Sequence, residues 1–184
     1  MNRRHALILL SSMPLVACVS APPLATQDEI LELAGALAAL SPEVDREEAA
    51  RAARISYART AELREIYQIT DPPLVHNAKV NAGLRPRGLC WHWADDLEAR
   101  LRAENFQTFS FHRAIANATS LRIDHSTVII SAKGEGMFDG MVLDPWRKGG
   151  VLTWVPTATD PKYKWVDRQI VFANRIERER LKNY

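Results

Sequence analysis

The hydrophobic period of the chain changes once, close to Asn105, and that change limits the architectures open to it. Before it, apolar residues recur at helical spacing. Trp93, Ala94, Leu97 and Leu101 fall on one face with Cys90, while Asp95, Glu98, Arg100 and Arg102 point elsewhere. After it, Thr108-Phe109-Ser110-Phe111 alternates with period two, and Asp124-His125-Ser126-Thr127-Val128-Ile129-Ile130 is rich in β-branched residues. A turn at Lys133-Gly134-Glu135-Gly136 leads to a strand at Gly140-Met141-Val142-Leu143-Asp144. A second turn from Pro145 to Gly150 leads to Val151-Leu152-Thr153-Trp154-Val155. Helices followed by a meander of short strands make an α+β protein, not the alternating order of a parallel α/β sheet. The expected architecture is N-terminal helices and a Cys-bearing helix packed on an antiparallel β-sheet, with a final helix from about 166 to 181.

The helical half divides at prolines. Thr26 with Glu29 three residues on is a capping-box pattern, opening a helix through Ile30, Leu31, Leu33, Leu37 and Leu40. Ser41-Pro42 reads as the N-cap and first position of a second helix running to about Ile66 or Tyr67. Its apolar stripe is thin, Val44, Ala49, Ala53, Ile55, Ala58, Leu63 and Ile66, as suits an outer layer on the core. Asp71-Pro72-Pro73 breaks that helix, and residues 74–89, with Asn77, Asn81, Gly83, Pro86 and Gly88, read as a loop. A chain of 184 residues fits a single domain over residues 26–184, with a helical layer at 26–70 and a core at 85–155.

Residues 1–17 read as an export signal rather than as fold. Arg3, Arg4 and His5 precede a short apolar run from Ala6 to Val16, and Leu15-Val16-Ala17 leads directly into Cys18. The run is too short to span a bilayer as a stable helix. Its layout is similar to that of a bacterial lipoprotein signal, in which Cys18 becomes the lipid-bearing first residue and residues 18–25 a tether. Val19 in place of an aspartate favours anchoring on the periplasmic face of the outer membrane in a Gram-negative cell. Removal of the signal takes two of the 24 basic residues and no acid, leaving 22 against 22 acidic ones. That balance makes no electrostatic case for nucleic acid or for a polybasic membrane patch. The membrane partner is then reached through the lipid on Cys18, and Cys90 becomes the single free thiol.

An unpaired thiol in an exported chain is a bridge to another molecule, an inert core group or a reactive one. Cys90 sits where a Pro- and Gly-containing loop passes into a helix, and the open N–H groups and dipole there favour a thiolate. His125 starts one strand and Asp144 ends the next, so an antiparallel hairpin makes them neighbours. A helix carrying Cys90 across that sheet would complete a set of nucleophile, base and orienting carboxylate. Each residue alone has a plainer reading: packing for Cys90, a strand-end hydrogen bond for His125, turn initiation before proline for Asp144. His92 lies on a different helix face from Cys90, His112 is a rival base with no carboxylate placed to follow it, and His76 sits in the loop. Cys90, His92, His112 and His125 contain no tight ligand pair, so they are not expected to form a metal site. Trp91, Trp93 and Trp146 either wall a cleft or fill the core.

The run Arg87-Gly88-Leu89-Cys90-Trp91-His92-Trp93-Ala94-Asp95-Asp96-Leu97, with Ile123-Asp124-His125 and Val142-Leu143-Asp144-Pro145-Trp146-Arg147, resembles the transglutaminase-like superfamily of papain-related cysteine enzymes, and within it uncharacterised bacterial lipoproteins. The likeness covers about residues 85–155. It implies a Cys90-His125-Asp144 triad acting on amides or isopeptides, by hydrolysis or by transfer to an amine, without a cofactor. It also implies an oxyanion donor upstream of the cysteine, for which Asn77 and Asn81 are the available amides. The expected function is that of a lipid-anchored cysteine hydrolase or acyltransferase acting on a periplasmic protein or a peptidoglycan-derived amide. The alternative is a non-catalytic lipoprotein of the same fold, used as a binding or scaffolding module.

Overall fold

A computed structural model describes residues 25–182. The expected signal at 1–17, the expected lipidation site Cys18 and most of the expected tether lie outside the described residues. Within them the chain is α+β, with five α-helices and one five-stranded antiparallel sheet in the order β4-β3-β2-β1-β5.

The first helix, α1 (Gln27–Ala38), starts with the capping box expected of Thr26 and Glu29, both halves formed. It buries Leu33 and Leu37 against α2 (Arg46–Ile66). The start of α2 corrects the sequence reading: Asp45, not Ser41, is its N-cap, its carboxylate accepting the N–H of Glu48 at 2.8 Å. Ser41 instead closes a turn through Val44. Tertiary contacts fix the later start, because the Asp45 N–H donates to Thr108 and the Glu48 carboxylate accepts the N–H groups of Gln107 and Thr108. Small residues set how closely α2 lies on its neighbours: Ala49, Ala52, Ala53, Ser56 and Thr60 are buried, the two hydroxyls bonding the carbonyl one turn back.

A second correction concerns residues 74–89. A helix, α3 (Pro73–Asn81), occupies the first half of the expected loop. The prolines that end α2 also start α3, since Pro73 stands at the first helical position, where its missing N–H costs no bond and its φ is already helical. Then α4 (Cys90–Arg102) begins at the cysteine and buries Cys90, Trp93, Ala94, Leu97 and Leu101 on the expected face.

The sheet is built on β2 (His125–Ala132), which pairs along its full length with β1 (Phe109–Ala116) and at its centre with β3 (Met141–Asp144). The expected first strand therefore extends five residues beyond Phe111. All eight residues of β2 are buried, because both faces of the sheet are covered. On one face Val128, Ile130, Met141 and Leu143 meet Leu97 and Leu101 of α4 and the apolar sides of α1 and α2. On the other, Ile129 and Val142 meet Ala114, Ala116, Met137 and Trp165. The edges are β4 (Thr153–Pro156) and the two-residue β5 (Val166–Asp167), which leads directly into α5 (Arg168–Lys182). Strand alternation gives His125 and Asp144 the parity of Ile129 and Val142, so they belong to the face opposite α4.

Candidate active site

The cysteine loop is held by its own aromatic neighbours. Leu89, at the N-cap of α4, has no polar side-chain atom, and His92 supplies the cap in its place. Its Nδ1 accepts the N–H groups of Gly88 and Leu89 at 3.1 and 3.2 Å. An accepting Nδ1 carries no proton, and burial with the nearby Arg87 charge depresses the His92 pKa in the same sense. The Trp93 indole N–H donates to the Gly88 carbonyl at 3.0 Å. Gly88 itself has a φ of 127°, and a Cβ there would lie 2.3 Å from Nε2 of His76, whose ring bonds the Arg87 carbonyl. Only glycine fits this junction between α3 and α4.

These restraints set Cys90 at the first position of α4, 7% exposed, among Leu63, Tyr67, Ile69, Trp93 and Trp146. Its Sγ lies 3.5 Å from the carbonyl of Asp124, the residue that precedes β2. The helix passes along one face of the sheet, and its N-terminus brings the thiol to the strand end where His125 stands. The structure thus brings Cys90 and His125 together.

His125 and Asp144 meet across the β2–β3 pair. The imidazole Nε2 is 2.6 Å from Oδ2 of Asp144, and both side chains are almost fully buried. Nδ1, the other ring nitrogen, is buried without a hydrogen-bond partner among the described residues. Burial disfavours the imidazolium. The charge and hydrogen bond of Asp144, with a smaller contribution from the nearby Cys90, oppose it and raise the His125 pKa to about 9. Burial likewise works against the Asp144 carboxylate, but His125 and Arg147 hold its pKa below the usual range.

Four residues of this site have no role assigned to them by the sequence pattern. Arg147 donates to Asp144 from its backbone N–H and its Nε, at 3.1 and 2.9 Å, and its guanidinium forks onto Asp160. Asp160 in turn accepts the indole N–H of Trp165 at 2.9 Å. Tyr163 and Trp165 lie over the imidazole, their ring centroids 4.5 and 5.4 Å from it, with Trp146 at 4.7 Å. The spacing of Arg147 three residues after Asp144, in a Pro-initiated turn, was the one available clue. Nothing local marks residues 160–165, which return from the far edge of the sheet.

The two amide candidates separate. Asn81 is exposed at the end of α3, whereas Asn77 is buried. Asn77 Oδ1 accepts the Trp146 indole N–H at 3.0 Å, and an indole only donates, so the amide orientation is fixed. Its NH2 group has no protein acceptor among the described residues. The rival histidines are engaged elsewhere: His112 on β1 bonds the Ser131 hydroxyl at 2.8 Å, and His92 caps α4. Trp93 and Trp146 are buried, while Trp91 is exposed. No group of three or more His, Cys, Asp or Glu side chains among the described residues is placed to hold a metal ion.

A cleft of about 600 Å³ opens onto His125, walled by Pro72, Pro73, Leu74, Trp146 and Tyr163 on its apolar side and by Arg122, Arg147 and Lys162 on its charged one. Comparison with protein-family models, with curated proteins and with solved structures finds no match for this chain.

Proposed function

We propose that the chain is a cysteine hydrolase or acyltransferase of the transglutaminase-like type, exported and lipid-anchored through Cys18, and that Cys90, His125 and Asp144 are its triad. The observation that carries this reading is the buried His125–Asp144 pair at 2.6 Å, on a strand end that Cys90 reaches from a helix N-terminus. In this reading the raised pKa of His125 keeps Nδ1 protonated near neutral pH, and the imidazolium stabilises a Cys90 thiolate while Nε2–H stays bonded to Asp144. The thiol proton, which lies toward the Asp124 carbonyl while the S–H is intact, is lost to solvent as that ion pair forms. The thiolate sulfur then attacks the amide carbonyl carbon. The carbonyl oxygen takes up negative charge facing the Cys90 N–H and the Asn77 amide. Collapse breaks the C–N bond, the imidazolium gives its proton to the departing amine, and a thioester on Cys90 remains. Water or a second amine, deprotonated by His125, attacks that thioester and releases the thiol.

The substrate in this reading is an amide or isopeptide of a periplasmic protein or of cell-wall peptide. A comparison of cleaved and cross-linked envelope species between wild-type cells and a Cys90→Ser strain tests it. The expected result is a set of species that disappears or accumulates only when the sulfur is lost; identical profiles contradict it.

The burial of Cys90 in an apolar cluster favours a second reading, a non-catalytic module in which the thiol is packing. A thiol that reacts only after denaturation decides for that reading.

A further inference from the structure

The cleft at His125 does not end at its charged wall. A second hollow of about 450 Å³ adjoins it, and the two share Asn117, Arg122 and Lys162. Lys164 and Arg178 line the extension, and no carboxylate lines either part. This concentration of cations is local, because the chain without residues 1–17 carries as many acids as bases. Two of the neighbouring acids are engaged elsewhere: Asp124 pairs with Arg175, and Asp160 with Arg147. Arg122, Lys162, Lys164 and Arg178 are exposed and form no ion pair among the described residues. A protein surface mixes its signs unless a field of one sign serves steering or recognition. Beside the cations, Leu121 and Ile123 stand exposed on either side of Arg122.

We propose that the substrate amide is carried by an acidic stretch of peptide, its carboxylates lying along Arg122, Lys162, Lys164 and Arg178 and an apolar side chain entering the part of the cleft nearest His125. This deepens the triad reading and rests on it for the nature of the bond attacked. A peptide suits the surface better than a phosphate polymer or a lipid sheet. The cations follow a groove that is interrupted by apolar side chains, and they lead to a residue whose chemistry needs a carbonyl.

The test uses the full chain carrying Cys90→Ser, so that binding is read without turnover. Fluorescence anisotropy compares two labelled peptides, one alternating Glu and Leu, the other Gln and Leu. The acidic peptide is expected to bind about tenfold more tightly at low salt, and Arg122→Gln with Lys162→Gln to remove that margin. Both substitutions fall on exposed side chains and leave the core intact. Equal binding of the two peptides overturns the proposal. So does equally tight binding of an oligothymidylate or of phosphatidylglycerol vesicles that is lost in the same double variant, since the groove is then a general anion surface. The two readings fail separately: a Cys90 that is inert in the native protein removes the triad and leaves the peptide margin standing. A reactive Cys90 with no peptide margin removes only the acidic substrate.

Discussion

His125 donates from Nε2 to Asp144 at 2.6 Å, which leaves Nδ1 as the ring nitrogen without a partner among the described residues. One strand pair thus decides which imidazole nitrogen is left open. The same carboxylate is held by Arg147, and Arg147 by Asp160, so the orientation of the ring depends on a chain of charges that reaches the loop covering it.

Asp144→Asn should therefore act on both chemistry and stability. It removes the charge that raises the His125 pKa, and it leaves the largely buried Arg147 guanidinium beside a neutral amide. The native rate of Cys90 alkylation by iodoacetamide is expected to fall by about 100-fold near neutral pH. Stability is expected to fall by about 3 kcal/mol, read from the urea midpoint.

The pH dependence follows from the raised His125 pKa. A base that holds its proton more tightly when folded stabilises the fold below its unfolded pKa of about 6.5. That contribution is lost as the pH rises through about 9. Turnover should show an alkaline limb in the same region, where the imidazolium that protonates the leaving amine disappears. On the acid side, the lowered Asp144 pKa keeps the pair intact until the pH falls below the ordinary carboxylate range. Proton-carbon NMR of the His125 ring, followed from pH 5 to pH 10, checks the first point directly.

Asn77 and Asn81 make opposite predictions. Asn77→Ala should lower acyl transfer by about 100-fold, as loss of an oxyanion donor does. It should barely change alkylation by iodoacetamide, which develops no oxyanion. Asn77→Asp keeps an acceptor for Trp146 and removes the donor, so it should reproduce the loss. Asn81→Ala, on the exposed end of α3, should change neither rate.

Gly88→Ala should destabilise the protein by about 2 kcal/mol or more. The added Cβ meets the His76 ring at 2.3 Å, and the residue must keep a φ of 127°. A paired His76→Ala change relieves the contact and not the dihedral, so the double variant should recover only part of the loss in thermal midpoint.

The order of helices and strands was legible because hydrophobic period reports burial face directly, as with Leu97 and Leu101 on α4 or Val128 and Ile130 on β2. The antiparallel rule likewise sufficed to join His125 to Asp144. Helix starts were harder. Ser41-Pro42 and Asp45 both carry start signals, and the choice fell to Thr108, a residue distant in sequence that binds the N-terminus of α2. At α3 the proline pair reads locally as a stop, yet Pro73 serves equally as a start. Asp160, Tyr163 and Trp165 reach the site only through the return of the chain across the sheet, and no local pattern encodes that return.

The most direct measurement of the triad is the second-order rate of Cys90 alkylation at neutral pH in the native protein, compared with His125→Ala. A working triad predicts rapid native modification and a loss of about 100-fold in the variant, with urea midpoints showing both proteins folded. Equal rates in the two proteins, or a thiol that reacts only after unfolding, would contradict it.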